Sequence, residues 1–197
     1  MINKIKKAFT LAECLVVIGI IGVISTLVVP NLKNSGDDQV YVAKSKKVYA
    51  ELQTAYERAV LKYGNPSAWG DTIGAKIQQY LNVDDSGNPI ILKDGSSVTF
   101  THVAAADGVN AHYIISFDVD GPQKGYNTYG KDMFYASITL GDVLDTPAMD
   151  PYYFGYGAMT SGTSPDATYN SLHWILQYGN QDYNNCTVNW ITKVSCN

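Results

Sequence analysis

The sequence predicts an α+β protein: one long N-terminal α-helix, its inner half transmembrane, packed on a head built around an antiparallel β-sheet. Three observations carry this. An apolar run from Phe9 to Leu32 is followed, after a polar break, by a second helical stretch that ends at Tyr63. Beyond it lie short segments rich in Val, Ile, Tyr, Phe and Thr, bounded by Gly, Asn, Asp and Pro, the pattern of strands joined by turns. Charge is also split, with net +4 over residues 1–64 and net −8 over 65–197, which together give the overall −4.

A helix over Phe9–Leu32 is about 36 Å long at a rise of ~1.5 Å per residue, enough to cross a bilayer core of roughly 30 Å with some tilt. Lys4, Lys6 and Lys7 precede it. A basic flank stays on the cytoplasmic side, so everything after Leu32 is expected outside. Glu13 is the exception to the apolar pattern, and an acidic side chain inside a span costs up to ~3 kcal/mol unless it is paired. Cleavage just before Phe9 would create an amine about one helical turn away, able to neutralise this Glu13 or that of a packed neighbour. Three other readings compete. A secretory signal shares the Lys cluster, but this run is long, carries Glu13 near its start and lacks a small-x-small site at its end. A plain single-pass anchor leaves Glu13 unexplained, and a buried core helix would need no basic leader.

The outer half of the helix begins in the polar stretch Lys33–Asp38, where Gly36 costs roughly 1 kcal/mol against Ala. From Val40 the helical period returns, with Tyr41, Ser45, Val48, Leu52, Ala55, Ala59 and Tyr63 on one face. Gly64-Asn65-Pro66 stops it. Phe9 to Tyr63 thus reads as one helix, loosened around Pro30–Gly36.

In the head, Thr72–Leu81 reads as a short helix, with Ile73 and Ile77 facing inward. Ile90–Lys93 and Val98–Val103 flank Asp94-Gly95, a hairpin signal. His112–Val119 and Met133–Leu140 are strands separated by the Gly/Asn/Pro-rich residues 120–132. A meander of three or four antiparallel strands results, with one face free to cover the outer helix. Gly141–Asp166, with Tyr152, Tyr153, Phe154 and Tyr156, reads as a long ordered surface loop of the kind that often carries binding. Ala167–Tyr178 reads as a helix ended by Gly179-Asn180.

The 197 residues, 46% of them hydrophobic, allow one membrane-embedded helix and one globular domain. The acidic head is not expected to bind nucleic acid. Cys186 and Cys196, close together in the part placed outside the membrane, are expected to form a disulfide; the alternative is two buried free thiols. Cys14 in the apolar run is a small hydrophobe. Asp118, Asp120 and Asp132 bracket a Gly-rich loop, and carboxylates two apart before a Gly turn suit calcium, the one cofactor in view. The match to an EF-hand loop fails at Pro122 and for want of a closing Glu, and Asp and Gly also dominate ordinary strand connections. His102, His112 and His173 are scattered, with no two at zinc spacing. No Gly-x-Ser-x-Gly, phosphate loop or dinucleotide fingerprint occurs, so an enzyme is not expected.

The run Lys6-Lys7-Ala8-Phe9-Thr10-Leu11-Ala12-Glu13, continued by an Ile/Val/Gly-rich stretch and Pro30, resembles the class III signal of type IV pilins and type II secretion pseudopilins. Ala8 stands where that family usually has Gly, and Cys14 where it has an aliphatic residue. The resemblance implies a prepilin peptidase that cuts between Ala8 and Phe9 and methylates the Phe9 amine. It implies that Glu13 pairs with a neighbour's amine, that Pro30 marks a stretch loosened during assembly, and that the head is a pilin-like α/β-roll. Residues 1–8 would be the leader, 9–32 the transmembrane and filament-core helix, 33–64 its amphipathic outer half and 65–197 the periplasmic or extracellular head with its C-terminal disulfide loop. Two head segments also resemble signatures of prepilin-like proteins: Trp174 to Tyr183, and Asp118-Val119-Asp120-Gly121 with Gly130-Lys131-Asp132-Met133-Phe134. The expected partners are the peptidase, an inner-membrane assembly platform, membrane lipid, and other copies of the chain or related pilins. The expected location is the inner membrane, N-terminus cytoplasmic, and then a pilus or periplasmic filament. The competing reading is a membrane-anchored ectodomain that acts as a binding module.

Overall fold

The structure is a computed structural model that describes residues 11–105, 111–140, 149–151, 158–159 and 165–189, and the side chains of residues 11–14, 19–36, 150–151, 158–159 and 165–169 lie outside that description. The protein is α+β. The chain divides into two compact units, Met1–Asp37 and Asp38–Asn197. Helix α1, Leu11–Tyr63, is assigned without interruption, so the loosening expected at Pro30–Gly36 does not break it. In the first unit the described side chains of α1 are Leu15, Val16, Val17 and Ile18, which are exposed, and Asp37, which is half-buried. Among the described residues no helix is long and apolar enough to cross a membrane; most of the expected span, 9–32, falls outside the described side chains.

In the second unit the helical period does what its spacing requires. Tyr41, Ser45, Val48, Leu52, Ala55 and Ala59 are buried, while Tyr63 is only half-buried. Gly64 ends the helix in the left-handed conformation, φ +76°, its N–H donating to Val60 O at 2.9 Å. Asn65 Oδ1 then accepts from Ser67 N at 2.9 Å and caps a short 3₁₀ turn, Pro66–Ala68. The expected helix at Thr72–Leu81 is shorter, α2 at Ile73–Gln78, preceded by a 3₁₀ turn, Gly70–Thr72.

Six strands form one antiparallel sheet in sequence order: β1 Val83–Asp85, β2 Ile90–Leu92, β3 Ser97–Val103, β4 His112–Asp118, β5 Met133–Thr139 and β6 Met149–Pro151. The four central segments match the expected ones. The short edge strands β1 and β6 exceed the expected meander, and neither carries enough alternating residues to be read from pattern alone. A second, two-stranded sheet pairs β7, Ala158–Met159, with β8, Val188–Asn189. Residues Gly141–Asp166 are therefore not one loop, since β6, β7 and the start of helix α3, Pro165–Tyr178, fall inside them. Their aromatics, Tyr152, Tyr153, Phe154 and Tyr156, lie outside the described residues.

Alternation on β4 and β5 buries Tyr113, Ile115, Phe117, Phe134, Ala136 and Ile138 in one core with the α1 face and with Leu172, Trp174 and Ile175 of α3. Polar links pin α1 to the sheet. Lys47 Nζ reaches Asp94 Oδ2 at 2.7 Å in the β2–β3 turn, and Tyr49 Oη donates to Met149 O of β6 at 3.2 Å. The Asp94 hydrogen bond holds the Lys47 ammonium above its usual range. Burial pulls the Asp94 carboxyl up, but Lys47 and Ser96 outweigh it and keep the group below its ordinary value.

Burial and exposure set different costs. Leu52→Ala, at a fully buried position, is expected to lower unfolding free energy by roughly 2–5 kcal/mol. Lys47→Met, whose wild-type side chain is 52% exposed, should cost less than about 1 kcal/mol. Denaturant unfolding of the two variants beside the wild type measures both.

Candidate functional site

The loop between β4 and β5 gathers the acidic residues singled out above. Asp132 is fully buried, and its carboxylate accepts three successive backbone N–H groups: Tyr126 N, Asn127 N at 2.8 Å and Thr128 N at 2.7 Å. This arrangement needs the chain to curl tightly around one carboxylate. Asn127 accordingly sits at φ +47° and Gly125 at φ +66°. A Cβ on Gly125 would fall 2.4 to 2.8 Å from carboxylate oxygens of Asp120 and Asp132, so only Gly fits there.

Asp118, 3% exposed, closes the other end of the loop. Its Oδ1 accepts from Asp120 N at 3.2 Å and Gly121 N at 3.0 Å, an Asx-type turn. Asn127 Nδ2, with its amide oriented toward acceptors, donates to Asp118 Oδ2 at 3.1 Å and Pro122 O at 3.2 Å. Asp120 Oδ2 accepts from Tyr41 Oη of α1 at 3.3 Å, whereas its buried Oδ1 has no hydrogen-bond partner. Burial pushes the Asp118 carboxyl up to about 6, and the neighbouring Asp120 carboxylate adds to the rise.

The loop is also held from the C-terminal side. Gly130 O accepts from Tyr183 Oη at 2.5 Å and lies within reach of Gln181 Nε2, 3.5 Å, and Asn184 Nδ2, 3.4 Å. Gln181 Nε2 donates to Lys131 O at 2.6 Å. Burial raises the Tyr183 hydroxyl, which keeps it a donor at any ordinary pH. Upstream, Gly179 ends α3 at φ +75°, and Asn180 Oδ1 accepts from Trp174 Nε1 at 2.7 Å and Asp182 N at 3.2 Å. The two signature-like segments, 118–134 and 174–183, are thus two sides of one hydrogen-bonded contact. Sequence reading marked both but missed the hub, the Gly130 carbonyl, because a backbone atom leaves no side-chain signal.

As a calcium set, Asp118, Asp120 and Asp132 are poorly disposed. Among the described residues no group of three or more His, Cys, Asp and Glu side chains is arranged to hold a metal ion. The reason is local: the Asp132 oxygens and Asp118 Oδ1 are turned onto backbone N–H groups of their own loop, which leaves Asp120 Oδ1 as the unengaged oxygen. His102 faces Asp71 at 3.7 Å and Tyr113. Cys186, packed against the core, is disulfide-bonded, and Cys196 lies outside the described residues. Ala8 and Phe9 also lie outside them. Glu13 and Pro30 fall on α1, without described side chains. Comparison with protein-family models, with curated proteins and with solved structures returns no match to this chain.

Two outcomes follow from the carboxylates. Because the Asp118 pKa rises from 3.8 to about 6 on folding, its protonated form contributes stability that is fully present below about 3.8 and is lost as pH rises through 6. Asp118→Asn should flatten the fall in unfolding midpoint between pH 4 and 6.5 relative to wild type, as thermal melts across that range would record. Asp132→Ala leaves three backbone donors without their acceptor, at ~1–3 kcal/mol each where water cannot replace it. A total loss of at least about 3 kcal/mol in denaturant unfolding is expected.

Proposed function

We propose that the chain is a structural subunit of a helical filament, a pilin or pseudopilin of the type IV pilus or type II secretion kind, cleaved and N-methylated by a prepilin peptidase. The observation that carries this reading is the run Lys6 to Glu13 directly before an apolar stretch that continues into α1. A carboxylate in that position needs a partner of opposite charge, and a new amine at Phe9 of a packed neighbour supplies one. The exposed side chains Leu15, Val16, Val17 and Ile18 support it, since four consecutive bare apolar residues on a helix call for lipid or neighbouring helices as cover. The finer architecture belongs to the same reading: a helix whose inner half spans the membrane and whose outer half carries an α/β-roll head outside. The Cys186 disulfide is then assigned to Cys196, in an outer compartment that permits it.

The test joins processing to assembly. Intact-mass analysis of membrane or filament material should give a mature chain that starts at Phe9 with a methylated amine. Glu13→Val should leave the leader cut and the head folded by circular dichroism, yet reduce filaments seen by electron microscopy to few or none. A mature start beyond Val29 would mean an ordinary signal peptide, and normal filament numbers with Glu13→Val would remove the charge pair from the mechanism.

A further inference from the structure

The face of the sheet turned away from the core carries a built slot. On β3 the residues that alternate with Val98 and Phe100 are Ser97 and Thr99, and on β4 those that alternate with Phe117 are Ser116 and Asp118. Register sets them side by side: Thr99 opposite Ser116, Ser97 opposite Asp118, and Asp118 opposite Met133 of β5. Directly opposed positions in antiparallel strands hold their Cβ atoms about 4.5–5.5 Å apart, so these hydroxyls and the carboxyl form one compact polar floor. Asn127 of the β4–β5 loop roofs one end. The cavity measures about 350 Å³, and the rings of Pro89 and Pro122 with Met133 give it apolar walls. That volume is at the low end of the roughly 300–1,000 Å³ of small-molecule sites.

Its chemistry selects among ligands. Among the described residues the hydroxyls of Ser97, Thr99 and Ser116 engage no protein acceptor, so each can both donate and accept toward a guest. No Lys, Arg or His is among the described residues that line the slot, and Asp118 disfavours an anion, which sets phosphates and carboxylic acids aside. A wholly apolar guest would strand the three hydroxyls without partners, while Asp118 keeps its bonds to Asp120 N, Gly121 N and Asn127 Nδ2. A ring that presents several hydroxyls at its edge and C–H bonds on its face satisfies both the floor and the walls.

We propose that this slot binds a neutral monosaccharide unit, a hexopyranose, with its hydroxyls on Ser97, Thr99, Ser116 and Asp118 and its C–H face against the proline and methionine walls. The inference is independent of filament assembly, because every residue it uses lies within the second unit and binding is read on the unassembled chain. For a ligand of this size a Kd of about 1 mM is expected.

The experiment uses the full chain, ¹⁵N-labelled and held in a detergent without a sugar head group. Glucose, galactose, mannose and N-acetylglucosamine are titrated separately, with calcium chloride and sodium phosphate as further probes. At least one sugar should give saturable amide shifts centred on residues 97–99, 116–118 and 127. Thr99→Val and Ser116→Ala, which remove one hydroxyl each, should each weaken that binding by about fivefold or more while leaving the rest of the spectrum in place. The proposal is overturned if no sugar gives saturable shifts, if the shifts map elsewhere, or if both variants bind as the wild type does. Shifts at these amides with calcium or phosphate but not with sugar would overturn it too.

Discussion

The head depends on what one carboxylate does with three amides. Asp132 is the first buried acid after a run of exposed loop residues, and its two oxygens take the N–H groups of Tyr126, Asn127 and Thr128. A long connection between strands normally leaves backbone groups to water, and ordering it costs about 1–2 kcal/mol per residue in entropy. Gathering three donors on one charged acceptor offsets part of that cost, because hydrogen bonds to ionised groups are about twice as strong as neutral ones. Once the loop is fixed, its own carbonyls are fixed too. Gly130 and Lys131 then become acceptors in known positions for Tyr183 and Gln181, which carry the chain beyond α3 back onto the sheet.

The same fastening has a cost, and it shows in Asp118. To let Asp120 N and Gly121 N bond its Oδ1, the Asp118 side chain is buried beside the Asp120 carboxyl, and both burial and like charge oppose its ionisation. Gly121 must come so close to Gly95 that a Cβ there would meet Gly95 O at 2.4 Å, which packs this turn against the β2–β3 turn. Tyr41 then joins α1 to the loop through Asp120. Helix, hairpin turn and loop are held at one corner, and the carboxyl pair is the strained member of that set.

Much of this was legible in the sequence, and what was missed has a physical cause. The buried face of α1 from Tyr41 to Ala59 follows from a 3.6-residue period, and both helix ends at Gly64 and Gly179 follow from glycine's access to positive φ. Strands β3, β4 and β5 each have seven residues, enough to show alternation. Strands β1, β6, β7 and β8 have three residues or fewer, so pairing partners rather than their own composition define them. The acids of the loop were visible as a group, but the sequence does not say which way a carboxylate points. Asp-Gly patterning fits an ion ligand and a turn fastener equally well. Only the N–H groups of residues 126–128 distinguish the two, and backbone donors are identical in every sequence.

Folding and assembly draw on different stretches of α1 under the filament reading. Among the described residues the buried core takes its first helix side chain at Tyr41, and its partners are the sheet and α3. No core residue comes from Leu15 to Ile18, which remain bare. Among the described residues the apolar interior of the second unit is formed by that unit's own side chains, and Tyr41, Lys47 and Tyr49 supply its polar ties to the helix. Within the second unit α1 from Tyr41 to Ala59 packs with the sheet and α3, and under the filament reading the bare Leu15–Ile18 are left for lipid or neighbouring helices to cover.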